Sequence, residues 1–177
     1  MIFFDTETTG LIKPDVLTMD LQPFITEIYM VKLTDDLEFV DEIDTLIKPP
    51  IPISEEITKI TGISDETVKD AQPFISIYPR LVEVCLGEES IVAHNAEFDC
   101  GVLRYELARC GYEFQFPWPP NRICTVEKSF PIKNKRLRLK QLHELATGRE
   151  HEGQHRAKAD VHALLNVYVY LKELGLV

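Results

Sequence analysis

The sequence predicts an α/β domain with a mixed central sheet of about five strands, three antiparallel and then parallel, flanked by helices. Two observations support this prediction. Three β-prone segments follow one another before the proline-rich stretch at residues 48–52, as in an antiparallel meander. After that stretch, short apolar segments alternate with amphipathic helical ones. No internal repeat, low-complexity tract or linker divides the chain, so we expect a single domain over residues 1–177.

The first half of the chain contains the predicted meander. Strands are expected at residues 2–7, 25–33 and 39–47, with a loop at residues 8–23. Glu27 stands in the second of these strands, within an otherwise apolar stretch. Three helices are expected after the prolines: one capped by Ser54 and ended by Gly62, one starting at Ser64 or Asp65, and one over residues 74–86.

The second half of the chain alternates strands with helices. Strands are predicted at residues 90–93 and 122–125, and helices at residues 96–110, 139–147 and 158–174. Each of these three helices is followed by a glycine, at Gly111, Gly148 and Gly175, which is typical of a helix end.

Composition narrows the class of protein. Four cysteines are scattered without a Cys-x-x-Cys pair, which argues against a zinc knuckle and against a disulfide framework. A reducing compartment, the cytoplasm, is therefore expected. No apolar run is long enough to cross a bilayer, so we expect no membrane partner.

The charge is unevenly distributed along the chain. The net charge is -10, but residues 1–99 carry 6 Lys and Arg against 21 Asp and Glu, whereas residues 100–177 carry 13 against 8. An acidic half can hold cations and a basic half can hold an anion, although ordinary surface charge explains the asymmetry equally well. The basic run at residues 133–140 is either a rim that follows nucleic-acid phosphates or a solvated loop.

Acidic residues recur where strands end and helices begin. Asp5 and Glu7 lie two residues apart on the first strand, so both point to the same face. Asp99 lies near the start of a helix, straight after a strand, and Asp160 lies in the first turn of the last helix, five residues after His155. Each segment alone is common in surface loops and helix starts.

The four acids acquire a chemical meaning as a set. Gathered near one end of the sheet they repel one another, unless about two Mg²⁺ or Mn²⁺ ions neutralise them. Two such ions are the machinery of in-line phosphodiester hydrolysis, which also needs a base near neutral pH. His155 is chemically suited to be that base.

Three segments resemble a known family. DTETTG at residues 5–10, HNAEFD at 94–99 and HRAKAD at 155–160 are similar, in this order, to the motifs of DEDDh-type DnaQ-like 3′–5′ exonucleases. That family includes the proofreading epsilon subunit of bacterial DNA polymerase III, RNase T and oligoribonuclease. The resemblance covers nearly the whole chain and implies an RNase H-like fold.

The resemblance also implies roles for particular residues. Asp5, Glu7, Asp99 and Asp160 would hold the two metal ions, and His155 would be the general base. Terminal-nucleotide contacts would come from Thr8, Thr9, Leu11, Glu56, Thr61, His94, Asn95 and Phe98. Of these, Thr61 departs from the epsilon subunit, which carries histidine there, and Glu56 is equally well explained as a favourable acid in the first turn of a helix.

The expected function is a metal-dependent 3′–5′ exonuclease that releases 5′-mononucleotides from single-stranded or frayed 3′ ends. The Thr-Thr-Gly-Leu form of the first motif favours DNA, with a role in proofreading or repair and a DNA polymerase or another replication or repair protein as partner. An RNA-directed exoribonuclease of the RNase T or oligoribonuclease type is the alternative. A catalytically idle polymerase-binding module is a further alternative, and the presence of all four acids and the histidine disfavours it.

Overall fold

The computed structural model describes residues 1–16 and 18–177; Leu17, within the predicted loop of residues 8–23, lies outside the described residues. A mixed five-stranded sheet forms the centre, in the order β3-β2-β1-β4-β5. The strands are β1 (Ile2–Thr8), β2 (Ile25–Leu33), β3 (Phe39–Leu46), β4 (Ser90–Ala93) and β5 (Asn121–Cys124). The first three are antiparallel neighbours, and β4 and β5 continue the sheet in parallel, as predicted.

Seven α-helices accompany the sheet in the described part of the chain. They are α1 (Glu55–Thr61), α2 (Phe74–Cys85), α3 (Ala96–Arg109), α4 (Thr125–Lys128), α5 (Phe130–Lys133), α6 (Leu139–Thr147) and α7 (Ala157–Glu173). A 3-10 turn at Met19–Leu21 lies in the loop after β1. Among the residues described, no helix combines the length and the apolar character that crossing a membrane requires.

β1 is the central strand, and both of its faces are covered. Phe4 belongs to a buried cluster with the apolar sides of α2 and α3, whereas Phe3 packs with α7 on the other face. Because side chains alternate along a strand, Asp5 and Glu7 fall on the α7 side and Thr6 on the α3 side. The strand thus delivers two carboxylates towards the beginning of α7.

Most predicted helix boundaries are confirmed. Ser54 caps α1, its hydroxyl accepting a hydrogen bond from the Ile57 amide at 3.3 Å. Gly62 and Gly148 end α1 and α6 in the left-handed region, at φ of 73° and 70°, where a side chain would be strained.

The helix predicted to start at Ser64 or Asp65 is wrong; residues 65–70 form turns. The Ser64 and Thr67 hydroxyls bond each other and the backbone amides of this segment, which stabilises a turn in place of a helix. The Asp65 carboxylate is also committed elsewhere, because it accepts a hydrogen bond from the Ile53 amide at 3.0 Å.

Candidate active site

All four predicted acids and the histidine line one cavity. The cavity has a volume of about 770 Å³ and lies where β1 and β4 end and α3 and α7 begin. Its lining includes Asp5, Glu7, Asp99, His155 and Asp160. Residues that are up to 155 positions apart in the chain therefore meet at one end of the sheet.

The end of β1 and the start of α3 are fixed to each other through Asp99. The Asp99 carboxylate, 3% exposed, accepts hydrogen bonds from the Thr6 amide at 3.1 Å and from the Thr6 hydroxyl at 2.8 Å. Thr6 points to the α3 side, whereas Asp5 and Glu7 point to the α7 side. β1 therefore carries two of the carboxyl groups and binds a third, that of Asp99.

His155 precedes α7 and Asp160 lies in its first turn, and hydrogen bonds hold the two residues together. The Asp160 carboxylate accepts the His155 amide at 3.0 Å, and its other oxygen is hydrogen-bonded to Nε2 of the buried His151. His155 has a positive φ of 64°, which is costly for a residue with a side chain. Ligand atoms of Glu7, His155 and Asp160 all lie within 4.8 Å of one another, close enough to share one cation.

Burial, and after it the proximity of other acids, raises the pKa values of Asp5, Glu7 and Asp99. Burial, followed by the charges of Asp99, Asp160 and Glu7, raises the pKa of Asp5 well above its ordinary value. Burial raises the pKa of Glu7 to about 8, with the Asp160 charge as the next cause. Burial also raises the pKa of Asp99 to about 7, although its hydrogen bonds from Thr6 act in the opposite direction. At neutral pH, protons or cations are needed to relieve this repulsion.

These shifts predict how metal-free stability depends on pH. With raised pKa values the folded protein binds more protons than the unfolded chain, so stability falls as pH rises through about 7 to 8. Burial lowers the pKa of His94 to about 4. This histidine therefore adds stability as pH rises to about 6.5 and causes no further change above that pH. With a chelator present, we expect the melting temperature to fall by at least about 3 °C between roughly pH 6.5 and 8.5.

Thermal unfolding followed by circular dichroism measures this slope. The Glu7→Gln/Asp99→Asn double variant, or saturating Mn²⁺, should flatten it. An equal slope in the wild type and in the double variant would mean that other groups set the pH dependence.

The predicted nucleotide-contacting residues line the same cavity: Thr8, Thr9, Leu11, Glu56, Thr61, His94, Asn95 and Phe98. The Leu11 side chain is 78% exposed, which is unusual for leucine and leaves its apolar surface free at the cavity wall. Thr61 is buried, and its hydroxyl already bonds the Ile57 carbonyl and the Ile63 amide. Thr61 can therefore contribute shape to the cavity more readily than a new hydrogen bond.

A second cavity, of about 630 Å³, adjoins the first and shares Asp5, His94, His155 and Asp160 with it. Its lining also includes Arg138 and Lys140, from the basic run of residues 133–140, together with polar residues of α6. The fold therefore brings the end of the basic run next to the acids.

Sequence reasoning missed three residues beside the site. Glu27 is buried directly opposite Glu7 in the β1–β2 pair and forms an ion pair with Arg156. His151, also buried, contacts Asp160. A carboxylate inside an otherwise apolar strand was the visible signal for Glu27; its partner, 129 residues away, could not be read from local pattern.

Comparison with known proteins gives the same assignment as the motifs. A family model described as an exonuclease, RNase_T, matches residues 2–168. A DNA polymerase III PolC-type protein of Caldanaerobacter subterraneus subsp. tengcongensis is 32% identical over 181 residues, covering 99% of this chain and 12% of that protein. The chain spans about a tenth of the length of the curated relatives it matches.

Two solved structures share the fold. Exonuclease X in complex with 5′ overhanging duplex DNA superposes with a TM-score of 0.68 at 24% identity, over 98% of this chain and 91% of that one. The nuclease domain of 3′hExo, a DEDDh family member bound to rAMP, superposes with a TM-score of 0.75 at 18% identity, over 98% and 92%. The fold is thus that of the RNase H-like exonucleases, and by its match over residues 2–168 the chain belongs to the RNase T exonuclease family.

Proposed function

We propose that this chain is a single metal-dependent 3′–5′ exonuclease domain, spanning residues 1–177, that hydrolyses phosphodiester bonds at the 3′ ends of single-stranded or frayed DNA. The products are 5′-mononucleotides. The observation that carries the proposal is the convergence of four acids and one exposed histidine in a cavity open to solvent.

The donor set fits two hard divalent cations. Asp5, Glu7, Asp99 and Asp160 offer carboxylate oxygens, the ligands that Mg²⁺ and Mn²⁺ prefer. Burial and the charges of neighbouring acids raise the pKa values of the first three, and bound cations would stabilise their ionised forms. When bound, the ions supply electrophilic assistance to attack at phosphorus. The ligands of the two ions would come from three elements, β1, α3 and α7.

His155 fits the role of general base for the attacking water. Its side chain is exposed in the cavity while its backbone amide is fixed by Asp160, so the ring can reach solvent from an anchored position. Neutral imidazole can take a proton near neutral pH, which the neighbouring carboxylates do less well when they hold cations.

The first cavity fits the terminal nucleotide. Leu11 and Phe98 offer apolar surface for a base, and the loop that carries Leu11 is pinned by two hydrogen bonds between Thr9 and Phe24. The Thr8 hydroxyl donates to the Gly10 carbonyl at 2.7 Å, which fixes the turn. A preformed cavity that ends beside the acids favours attack on the last phosphodiester bond.

The second cavity offers a path for the rest of the strand. Arg138 and Lys140 line this cavity but not the terminal-nucleotide cavity, and the two cavities share Asp5 and Asp160. A strand that crosses the acids would then have its next phosphates beside the basic run.

Removing this charge should weaken binding of single strands. For the Lys135→Ala/Arg136→Ala/Arg138→Ala variant we expect at least about tenfold weaker binding, with a logarithmic salt slope shallower by up to about 2. Fluorescence anisotropy with a labelled single-stranded DNA, across several salt concentrations, measures both quantities. A Lys69→Ala/Lys172→Ala variant, which removes charge elsewhere, is the control; equal affinity and slope in both variants would remove the basic run from the strand path.

We favour DNA as the substrate and a DNA polymerase as the partner, because the relatives at 32% identity are DNA polymerase III PolC-type proteins. The alternative is RNA, and a structural neighbour bound to rAMP shares the fold. Single-turnover rates on DNA and RNA oligonucleotides of matched sequence and several lengths test the choice. Faster cleavage of DNA at every length supports the proposal, and faster cleavage of RNA would replace it with the exoribonuclease alternative.

A further inference from the structure

The beginning of α7 is tied to the sheet by one buried carboxylate. Arg156 donates from Nε to both oxygens of Glu27, at 3.2 and 3.1 Å, and from Nη2 to Oε1 at 2.6 Å. The Ala157 amide, the first of the helix, donates to Glu27 Oε2 at 2.9 Å. Glu27 is 4% exposed whereas the Arg156 side chain is 52% exposed, so a half-exposed guanidinium covers a buried carboxylate.

The same turn carries two residues of the candidate site. His155 directly precedes Arg156, and the Asp160 amide donates to the Arg156 carbonyl at 3.0 Å. The Asp160 carboxylate in turn accepts the His155 amide. Any movement of Arg156 would therefore move the imidazole and the carboxylate together. His155 is held in a left-handed conformation, which persists only where the surroundings impose it.

Glu27 also adds a fifth negative charge close to the four predicted metal ligands. It lies directly across from Glu7 in the β1–β2 pair, and its charge contributes to the raised pKa values of Asp5 and Glu7. The charge of Arg156 acts on Glu7 in the opposite direction. The guanidinium thus compensates the fifth carboxylate beside the four predicted metal ligands.

We propose that Glu27 and Arg156 form a positioning clamp for the site. The clamp fixes the turn that presents His155 and Asp160. Because the charges of Glu27 and Arg156 neutralise each other, only the other four acids contribute net negative charge for binding metal ions. The kinetic part of this proposal rests on the proposed function; the metal-binding part does not. Neither residue needs to touch the substrate.

Metal affinity, measured by calorimetric titration of Mn²⁺, tests the charge balance. In Glu27→Gln, Arg156 loses its counter-ion. Its unpaired positive charge then lies near Glu7 and repels a cation there, so we expect about fivefold weaker Mn²⁺ binding. In Arg156→Gln, Glu27 is left as an extra anion, so binding should be unchanged or tighter. The matched control is Lys158→Gln, also on α7, which removes an exposed ion pair with Asp44 of β3. It should change the dissociation constant less than about twofold.

The opposite directions separate this clamp from general destabilisation, which would weaken Mn²⁺ binding in both variants. If Glu27→Gln and Arg156→Gln both weaken binding to a similar degree, or both match Lys158→Gln, the charge balance is refuted. Glu27→Gln is nearly isosteric and keeps an acceptor for the Ala157 amide, so it serves even if Arg156→Gln does not fold.

A double-mutant cycle with His155 tests the positioning. We expect His155→Ala to lower kcat at least about a hundredfold in the wild type but less than about tenfold in Arg156→Gln or Glu27→Gln, because the ring is already misplaced there. Arg156→Lys keeps the positive charge, so it should bind Mn²⁺ like the wild type. It should not recover the coupling, since an ammonium cannot bridge both carboxylate oxygens in a fixed fork. Equal costs of His155→Ala in all backgrounds would overturn the positioning role. If the wild type releases no nucleotide, the proposed function fails while the Mn²⁺ titrations still decide the clamp.

Discussion

Asp5→Asn is expected to abolish nucleotide release, with kcat lowered by at least about a thousandfold. Asp5 and Asp160 are the two acids that line both cavities, so Asp5 lies at the junction where the terminal nucleotide and the rest of the strand would meet. Asparagine keeps the shape of the side chain but not its charge. Initial rates of mononucleotide release under Mn²⁺ measure the effect.

Stability separates lost chemistry from lost folding in this variant. Because burial, and after it the neighbouring acids, raises the pKa of Asp5, removing its charge should leave the metal-free protein equally or more stable at neutral pH. Asp36→Asn, at an exposed turn between β2 and β3, is the control and should retain full activity. If Asp5→Asn keeps more than about a tenth of the wild-type rate, Asp5 does not hold a catalytic ion.

His155→Ala is expected to lower kcat by about 10²- to 10⁴-fold while Mn²⁺ binding survives. The four carboxylates stay in place in this variant, so Mn²⁺ binding should survive and the main loss should be in proton transfer. Single-turnover kinetics together with a Mn²⁺ titration measure the two effects separately.

The matched control is His162→Ala, which removes an exposed histidine two residues after Asp160. Added imidazole should restore part of the rate to His155→Ala and none to Asp5→Asn, because free imidazole can replace the lost base but not the lost carboxylate. Wild-type rates in His155→Ala would assign the base to another group.

The fold was predictable where the patterns are long. β1, β2 and α7 have many buried apolar residues at regular spacing, and their predicted limits differ from the structure by only a residue. The pattern failed in short segments. α4 and α5 have four residues each, fewer than periodicity can resolve, and the turn at residues 65–70 depends on side-chain hydrogen bonds that composition does not reveal.

The site was predictable to the extent that motif residues mark strand ends and helix starts. Asp5, Asp99 and Asp160 each occupy such a position, and topology then brings them together. Contacts between distant segments were not predictable. The Glu27–Arg156 pair depends on the β1–β2 register and on where α7 docks, and neither is encoded locally. The contact of His151 with Asp160 likewise follows from the path of the loop before α7.

We propose that these acids and His155 together hydrolyse the last phosphodiester bond at a 3′ end. The direct measurement uses single-stranded DNA and RNA labelled on the 3′-terminal nucleotide, with folded protein and either Mn²⁺ or a chelator. We expect the label to appear first as a 5′-mononucleotide, only when Mn²⁺ is present, and not with Asp5→Asn. Intact label on both substrates, with Mn²⁺ bound and the protein folded, would contradict it.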